Sequence, residues 1–258
     1  MIDLHSHIIY SVDDGSRSLE ESIAILKEAY RKGITDMVAT PHYMKGAMTS
    51  TPQVVDEKLK VIRERLIEEN IDLNLYSGHE VYVDASIFED LENDRINTIQ
   101  GTGYLLIELP LSQELNNLEN LIFELQIKGY SVILAHPERY HFVQQDIHVL
   151  DDLVNGGLLL QLNISSLIGR YGEASQKTAK ELLRASMIHV LGTDVHHEDS
   201  YNLGIEESIE VIQKLVTKEM YEDLLENNGR KVLNNAAVKP YEIQRKPKGI
   251  KGLFSKLT

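Results

Sequence analysis

Short strand-like runs alternate with amphipathic segments along almost the whole chain, and this alternation constrains the fold more than any single motif. Seven apolar runs have strand character, at 1–5, 37–40, 73–78, 105–109, 131–135, 158–162 and 188–191. Segments of helical period lie between or after them, at 19–32, 53–69, 115–128, 174–186, 204–216 and 218–228. The first is the clearest. Ser18 precedes it, Glu21 follows three residues later as in a capping box, and Gly33 stands where a helix closes. Ile23, Leu26 and Tyr30 recur at helical spacing, with Ala29 beside them. Strands separated by helices pair in parallel through right-handed crossovers. Seven such units predict an α/β protein built on a seven-stranded barrel, with an open doubly wound sheet as the competing arrangement. The 258 residues suffice for one such domain.

Composition removes several chemistries. The chain has no cysteine, which excludes disulfides, thiolate metal sites and cysteine nucleophiles together. A phosphatase working through phosphocysteine is excluded with them, and water activated on a metal becomes the alternative nucleophile. The net charge of −14 disfavours non-specific nucleic-acid binding, which needs cations against backbone phosphates. No run of roughly 18 apolar residues marks a membrane span. Met1-Ile2-Asp3-Leu4-His5 has neither the basic region nor the apolar stretch of a secretory signal, so a cytoplasmic location is expected.

Basic residues gather at the other end. Lys239, Arg245, Lys246, Lys248, Lys251 and Lys256 face only Glu242 within 239–258. Pro240, Pro247, Gly249 and Gly252 mark this stretch as a tail, set apart from a domain over 1–238. Ile250, Leu253, Phe254 and Leu257 lie among its lysines. A solvated end is the plainer reading; a short basic arm touching anionic lipid is the other.

Six of the seven strand runs end on residues able to bind a metal. They lead into His5-Ser6-His7, Thr40-Pro41-His42, Gly78-His79-Glu80, Ile107-Glu108, Ala135-His136-Pro137 and Thr193-Asp194-Val195-His196. The C-terminal ends of parallel strands form the active face of α/β folds. Side chains alternate along a strand, so His5 and His7 share a face, as do Asp194 and His196. Glu108 lies on the face of Leu106 and His136 on that of Leu134, while His79 points away from Glu80. His79, His141, His148, His189 and His197 read as structural histidines. Imidazole mixed with carboxylate, without thiolate, suits Zn²⁺, Mn²⁺ or Fe²⁺ over Mg²⁺ or Ca²⁺. Two or three such ions about 3.5–4 Å apart can orient a phosphate and stabilise the leaving oxygen, and Glu80 could bridge two of them. Arg139, three residues past His136, can fork onto a phosphate.

These motifs carry a resemblance. D-L-H-S-H at 3–7, V-D-D-G at 12–15, T-P-H at 40–42, A-H-P-E-R-Y at 135–140 and T-D-V-H at 193–196 resemble the polymerase and histidinol phosphatase (PHP) superfamily. With G-H-E at 78–80 and L-I-E at 106–108, the chain is most similar to one branch, the capsule- and exopolysaccharide-linked protein tyrosine phosphatases of Gram-positive bacteria. The resemblance runs from Met1 to about residue 235.

The resemblance implies a distorted (β/α)7 PHP barrel, which agrees with the strand count. It implies three divalent ions, usually manganese, with zinc or iron compatible with the same ligand types. His5, His7, Glu80 and Asp194 would hold the first. Glu80 would bridge to the second, held also by Glu108 and His136. Asp14, His42 and His196 would hold the third. Asp14 enters only through the resemblance, because the residues alone do not separate it from Asp13. The implied reaction is hydrolysis of phosphotyrosine by metal-held water, with Glu80, Glu108 and Arg139 at the reacting centre. The implied substrate is a tyrosine-phosphorylated protein, namely a membrane-associated bacterial tyrosine kinase of polysaccharide synthesis. A small-molecule phosphatase of the histidinol-phosphatase type is the alternative, and a non-catalytic metal scaffold a third. The segment 19–32 could serve a homo-oligomer contact, as in the family's ring assemblies. Two positions depart from the family. Tyr201 stands where a second arginine is usual, and Tyr43 follows His42 where many members carry a histidine. The first puts the substrate preference in question more than the chemistry.

Overall fold

A computed structural model describes residues 1–111, 118–197 and 204–244. All seven expected strand runs form strands, and three short ones join them. In chain order these are β1 (Ile2–Ser6), β2 (Asp36–Ala39), β3 (His42–Met44), β4 (Met48–Thr49), β5 (Asn74–Ser77), β6 (Glu80–Tyr82), β7 (Tyr104–Glu108), β8 (Ser131–Ala135), β9 (Leu159–Asn163) and β10 (Val190–Gly192). Their ladders make two sheets, β1-β2-β5 and β10-β9-β8-β7-β6-β3-β4. Every pair is parallel except the β3–β4 hairpin. The α/β class is therefore as expected, while the ladders of the described residues do not close into one barrel.

The sheets are nevertheless joined at both edges. Extended chain runs from β2 into β3, and from β5 into β6, with two-residue interruptions at Thr40-Pro41 and Gly78-His79. Pro41 has no N–H for a ladder, but its carbonyl accepts the amide of Glu80 at 3.1 Å. At the other edge, the amide of Asp194 donates to the carbonyl of His5 and that of His7 to the carbonyl of Val195, both at 2.9 Å. These joins bring the ends of β1, β3, β6, β7, β8 and the 193–196 stretch to one place.

The core has two parts. The larger packs the helices on the sheets, for example Ile25 and Leu26 with Ile62, Leu75, Leu105 and Leu160. The smaller joins Ile2, Leu4, Val38, Leu106, Ile133, Leu159 and Val190, from six strands of both sheets, with Val232 and Leu233. Strands buried on both faces explain the near-continuous apolar runs of the sequence.

The expected helices form with small shifts of boundary. Leu19–Arg31 is capped by Ser18, whose hydroxyl accepts the Glu21 amide at 3.1 Å. Pro52–Glu68 starts after Thr51, with Pro52 in its first turn. Leu118–Ile127, Glu173–Arg184 and Ile205–Leu215 match three further segments, although 115–117 of the first lie outside the described residues. The last segment is helical throughout and continues past its expected end. Lys218–Glu222 passes through a π turn at Asp223–Asn227 into Asn228–Leu233. Short helices at Ile87–Glu92, His141–Gln145 and Asp151–Asn155 were not expected, because five or six residues carry too little periodicity to read.

The stretch expected to be a tail begins on the body. Tyr241 stacks on His189, its hydroxyl donates to Asp223 Oδ2 at 2.7 Å, and the Gln244 amide donates to the Ala185 carbonyl. The basic residues from Arg245 onward, and Tyr201, lie outside the described residues.

Candidate metal centre

Glu80 is the hub of the converging strand ends. Its carboxylate is fully buried and lies 3.2 Å from His5 Nε2, 3.3 Å from His7 Nε2, 3.0 Å from His42 Nδ1 and 2.9 Å from His136 Nε2. Burial opposes charge on this carboxyl, but the surrounding imidazoles hold it well below the ordinary range. Asp194 Oδ1 lies 3.5 Å from His5 Nε2 and 3.4 Å from His7 Nε2. Glu108 stands 3.6 Å from His42 Nδ1 and 3.7 Å from His136 Nε2. Burial first, then the neighbouring Glu80, pushes Glu108 up to about 7. Asp14, half exposed, lies 3.6 Å from the Nε2 atoms of both His42 and His196.

The tautomers of the central histidines follow from their outer partners. His5 Nδ1 is 2.8 Å from Gln161 Oε1, and the Gln161 amide nitrogen donates to Asn163 Oδ1 at 3.0 Å. Asn163 in turn donates to Asp194 Oδ2 at 2.6 Å. His7 Nδ1 is 2.8 Å from Asp13 Oδ2. Gln161 Oε1 and the Asp13 carboxylate only accept, so both Nδ1 atoms carry the proton. In the neutral rings the two Nε2 atoms, 3.1 Å apart, present lone pairs to each other and to Glu80 and Asp194. Lone pairs repel at that distance unless a proton or a cation stands between them. Glu80 Oε2 and His42 Nδ1, in the same cluster, are buried without a hydrogen-bond partner. Four converging donors and two orphaned atoms fit a divalent cation bound by imidazole and carboxylate.

Three overlapping groups among the described residues place their ligand atoms within 4.8 Å of one another. They are His5, His7 and Glu80; His42, Glu80 and Glu108; and His7, Asp14, His42 and His196. These groups hold seven of the nine ligand candidates, and His136 and Asp194 adjoin them through Glu80 and through His5 and His7. These last two bend the backbone to do so. His136 has φ 34° and Asp194 φ 53°, left-handed values that cost a residue with a Cβ and concentrate at functional sites. For His136 the bend is decisive. Leu134 packs in the helix-side core and Ala135 in the inner one, so simple alternation would send His136 outward.

Asp13 and Asp14 separate by geometry. Asp13 takes His7 Nδ1 and the His42 amide on Oδ2, at 2.8 and 2.9 Å, and the Gly15 amide on Oδ1 at 2.9 Å. Burial alone would raise its pKa, but these hydrogen bonds bring it to about 2. Asp13 thus holds His7 and the His42 backbone from outside, while Asp14 turns its carboxylate to the Nε2 atoms of His42 and His196. Gly15 is required there, since a Cβ would sit 2.3 Å from the His7 carbonyl.

His79, His189 and His197 make polar contacts outside the cluster. His79 turns away from the cluster, but into the protein instead of solvent, where Nδ1 accepts the Asn97 amide. His189 Nδ1 accepts the Leu160 amide. His197 lies 3.3 Å from Glu21 at the cleft edge. Sequence reasoning missed Gln161, Asn163 and Tyr171. The first two close β9, the one strand run with no metal-binding residue at its end.

The cluster floors a cleft of about 840 Å³. Arg139 reaches into it, with Nη1 donating to Asp194 Oδ2 at 3.0 Å and its guanidinium over the Tyr171 ring. Met44, Met48, Leu109, Pro110 and Leu111 supply apolar surface, and Tyr82 and Arg170 complete the rim.

Comparison with known proteins agrees with this geometry. The capsular polysaccharide synthesis family CpsB/CapC matches residues 1–234. The tyrosine-protein phosphatase YwqE of Bacillus subtilis is 33% identical over 227 residues, which are 88% of this chain and 89% of that one. The tyrosine-protein phosphatase CpsB of Streptococcus pneumoniae is 29% identical over 90% of this chain and 98% of its own. A solved structure from work on these two proteins, described as unique metal-dependent tyrosine phosphatases, superposes with a TM-score of 0.89. It is 30% identical and covers 96% of this chain and 100% of its own.

Proposed function

The chain belongs to the capsular polysaccharide synthesis family CpsB/CapC, and we propose that it is a metal-dependent phosphotyrosine phosphatase acting on a protein. The carrying observation is the convergence of the Nε2 atoms of His5 and His7 and the carboxylates of Glu80 and Asp194 on one point. The chain has no cysteine to act as nucleophile. Divalent ions bound in the cluster supply Lewis acidity and an activated water at neutral pH.

We assign His5, His7, Glu80 and Asp194 to a first ion, Glu80, Glu108 and His136 to a second, and Asp14, His42 and His196 to a third. The three overlapping ligand groups support that number. Manganese is the first choice, with zinc and iron(II) compatible with the same donors. Asp13 and Gln161 fix the tautomers that turn Nε2 of His7 and His5 inward. Arg139 gives one N–H to Asp194 and turns its remaining donors to phosphoryl oxygens.

The rim favours an aromatic ester. Met44, Met48 and Leu109 to Leu111 offer apolar surface for a tyrosine ring. Histidinol phosphate would bring a cation, yet among the described residues every acidic group lining the cleft is in the ligand set, and the other charged groups there are Arg139 and Arg170. The family supports a bacterial tyrosine kinase of polysaccharide synthesis as the phosphorylated protein, met in the cytoplasm. No helix among the described residues is long and apolar enough to cross a membrane. We read the two sheets as one distorted seven-position barrel, on the support of the hydrogen bonds linking β1 to the 193–196 stretch. The deciding assay sets the manganese-loaded protein against a phosphotyrosine peptide and histidinol phosphate. Higher kcat/KM on the peptide is expected, and a clear preference for histidinol phosphate overturns the reading.

A further inference from the structure

We propose that Tyr171 is a positioning residue for Arg139, its ring forming the platform that keeps the guanidinium turned into the cleft. This rests on the reading of Arg139 as the phosphate-binding group. The Arg139 guanidinium carbon lies 4.7 Å from the centre of the Tyr171 ring. Both side chains reach the same atom: Arg139 Nη1 donates to Asp194 Oδ2 at 3.0 Å and the Tyr171 hydroxyl at 3.4 Å. Asn163 donates to it as well, at 2.6 Å. Asp194 thereby commits Oδ2 to this outer group and leaves Oδ1 facing His5 and His7.

The platform is itself fixed by the backbone. Gly169 and Gly172, with φ +89° and +92°, bracket Arg170 and Tyr171 in a conformation that glycine adopts without a Cβ penalty. The Gly172 amide closes on the Gly169 carbonyl at 3.0 Å, and the Arg170 amide on the Ser165 carbonyl at 3.3 Å. A short turn between Ile164–Ile168 and Glu173–Arg184 therefore sets where the ring lies. An arginine held only by its tip samples many rotamers, and ordering it on binding weakens the complex. Stacking on a fixed ring removes part of that cost before substrate arrives and adds a cation–π attraction. The part of Tyr171 that matters is then the ring face, with the hydroxyl as an anchor.

The test uses the full, metal-loaded chain, with a phosphotyrosine peptide as substrate and inorganic phosphate as competitive inhibitor. Tyr171→Leu is expected to raise KM and the phosphate inhibition constant about two- to thirtyfold, the range of one cation–π contact. kcat should change by less than about threefold, with bound metal unaltered. Tyr171→Phe, which keeps the ring, should restore both constants to within about threefold. In an Arg139→Ala background, Tyr171→Leu should have no further effect, because a positioning residue loses its role with its client. If the leucine variant does not fold, Tyr171→His serves the same cycle, with a partial effect that also vanishes beside Arg139→Ala. Additivity of Tyr171→Leu with Arg139→Ala, loss of metal from the leucine variant, or equal impairment of the phenylalanine variant each overturns the platform role alone. An Arg139→Ala variant with unaltered constants removes the phosphate role of Arg139 and the platform with it.

Discussion

Asp13 Oδ2 lies 2.8 Å from His7 Nδ1 and 2.9 Å from the His42 amide, so one carboxylate orients two of the clustered histidines at once. Asp13→Ala should leave His7 free to take either tautomer and to rotate. Removal of such an outer partner typically costs 10- to 100-fold in metal affinity or activity. Isothermal titration with Mn²⁺, beside kcat, checks this; Asp14→Ala should weaken only part of the metal complement.

Glu80 touches four imidazoles, and His136 reaches it only through a left-handed backbone. Glu80→Ala and His136→Ala should each lower kcat by more than about 100-fold, beyond the cost of an outer partner. Far-UV circular dichroism should stay near wild type, since the smaller core beneath contains neither residue. Full activity in either variant would count heavily against a shared cluster.

Arg139→Ala should raise KM with metal content unchanged, because Arg139 meets the cluster only through Asp194 Oδ2. Arg139→Lys should not rescue it, since an ammonium cannot fork onto two phosphoryl oxygens. Metal stoichiometry measured beside the kinetics separates this from loss of a ligand.

Acid stability should depend on a pair far from the cleft. Asp36 accepts Arg230 Nη1 and Nη2 at 2.9 and 2.8 Å, with Thr35 and Tyr76 hydroxyls at 2.8 and 2.9 Å. Burial opposes its charge, but these partners hold its pKa below the ordinary value. A depressed carboxyl stabilises the fold above its unfolded pKa and loses that contribution as pH falls through the folded value. Asp36→Asn should therefore cost about 1–2 kcal/mol at pH 7, discounted because Arg230 is partly exposed and screened. The gap between the proteins should narrow below about pH 4. Urea titrations at pH 7 and pH 3.5 measure it.

Much of this was legible in the sequence because period and position coincide. All seven strand runs formed, and eight ligand candidates from strand ends met in one cluster with Asp14, which only the resemblance supplied. Local irregularity hid the rest. β3 and β6 are three residues each, split from β2 and β5 by Pro41 and by Gly78-His79. The turn at His136 breaks the alternation that sequence reasoning assumes. Asp13 and Asp14 are chemically alike, and only their hydrogen bonds tell them apart. Gln161 and Tyr171 act through other side chains, so neither carries a metal-binding signal of its own.

The most direct test is removal and return of the metal. The purified chain, stripped with a chelator, should lose activity on a phosphotyrosine peptide and regain it with Mn²⁺, while thiol-alkylating reagents have no effect. Turnover that persists after complete removal of divalent metal would contradict the assignment of the cluster as the catalytic centre.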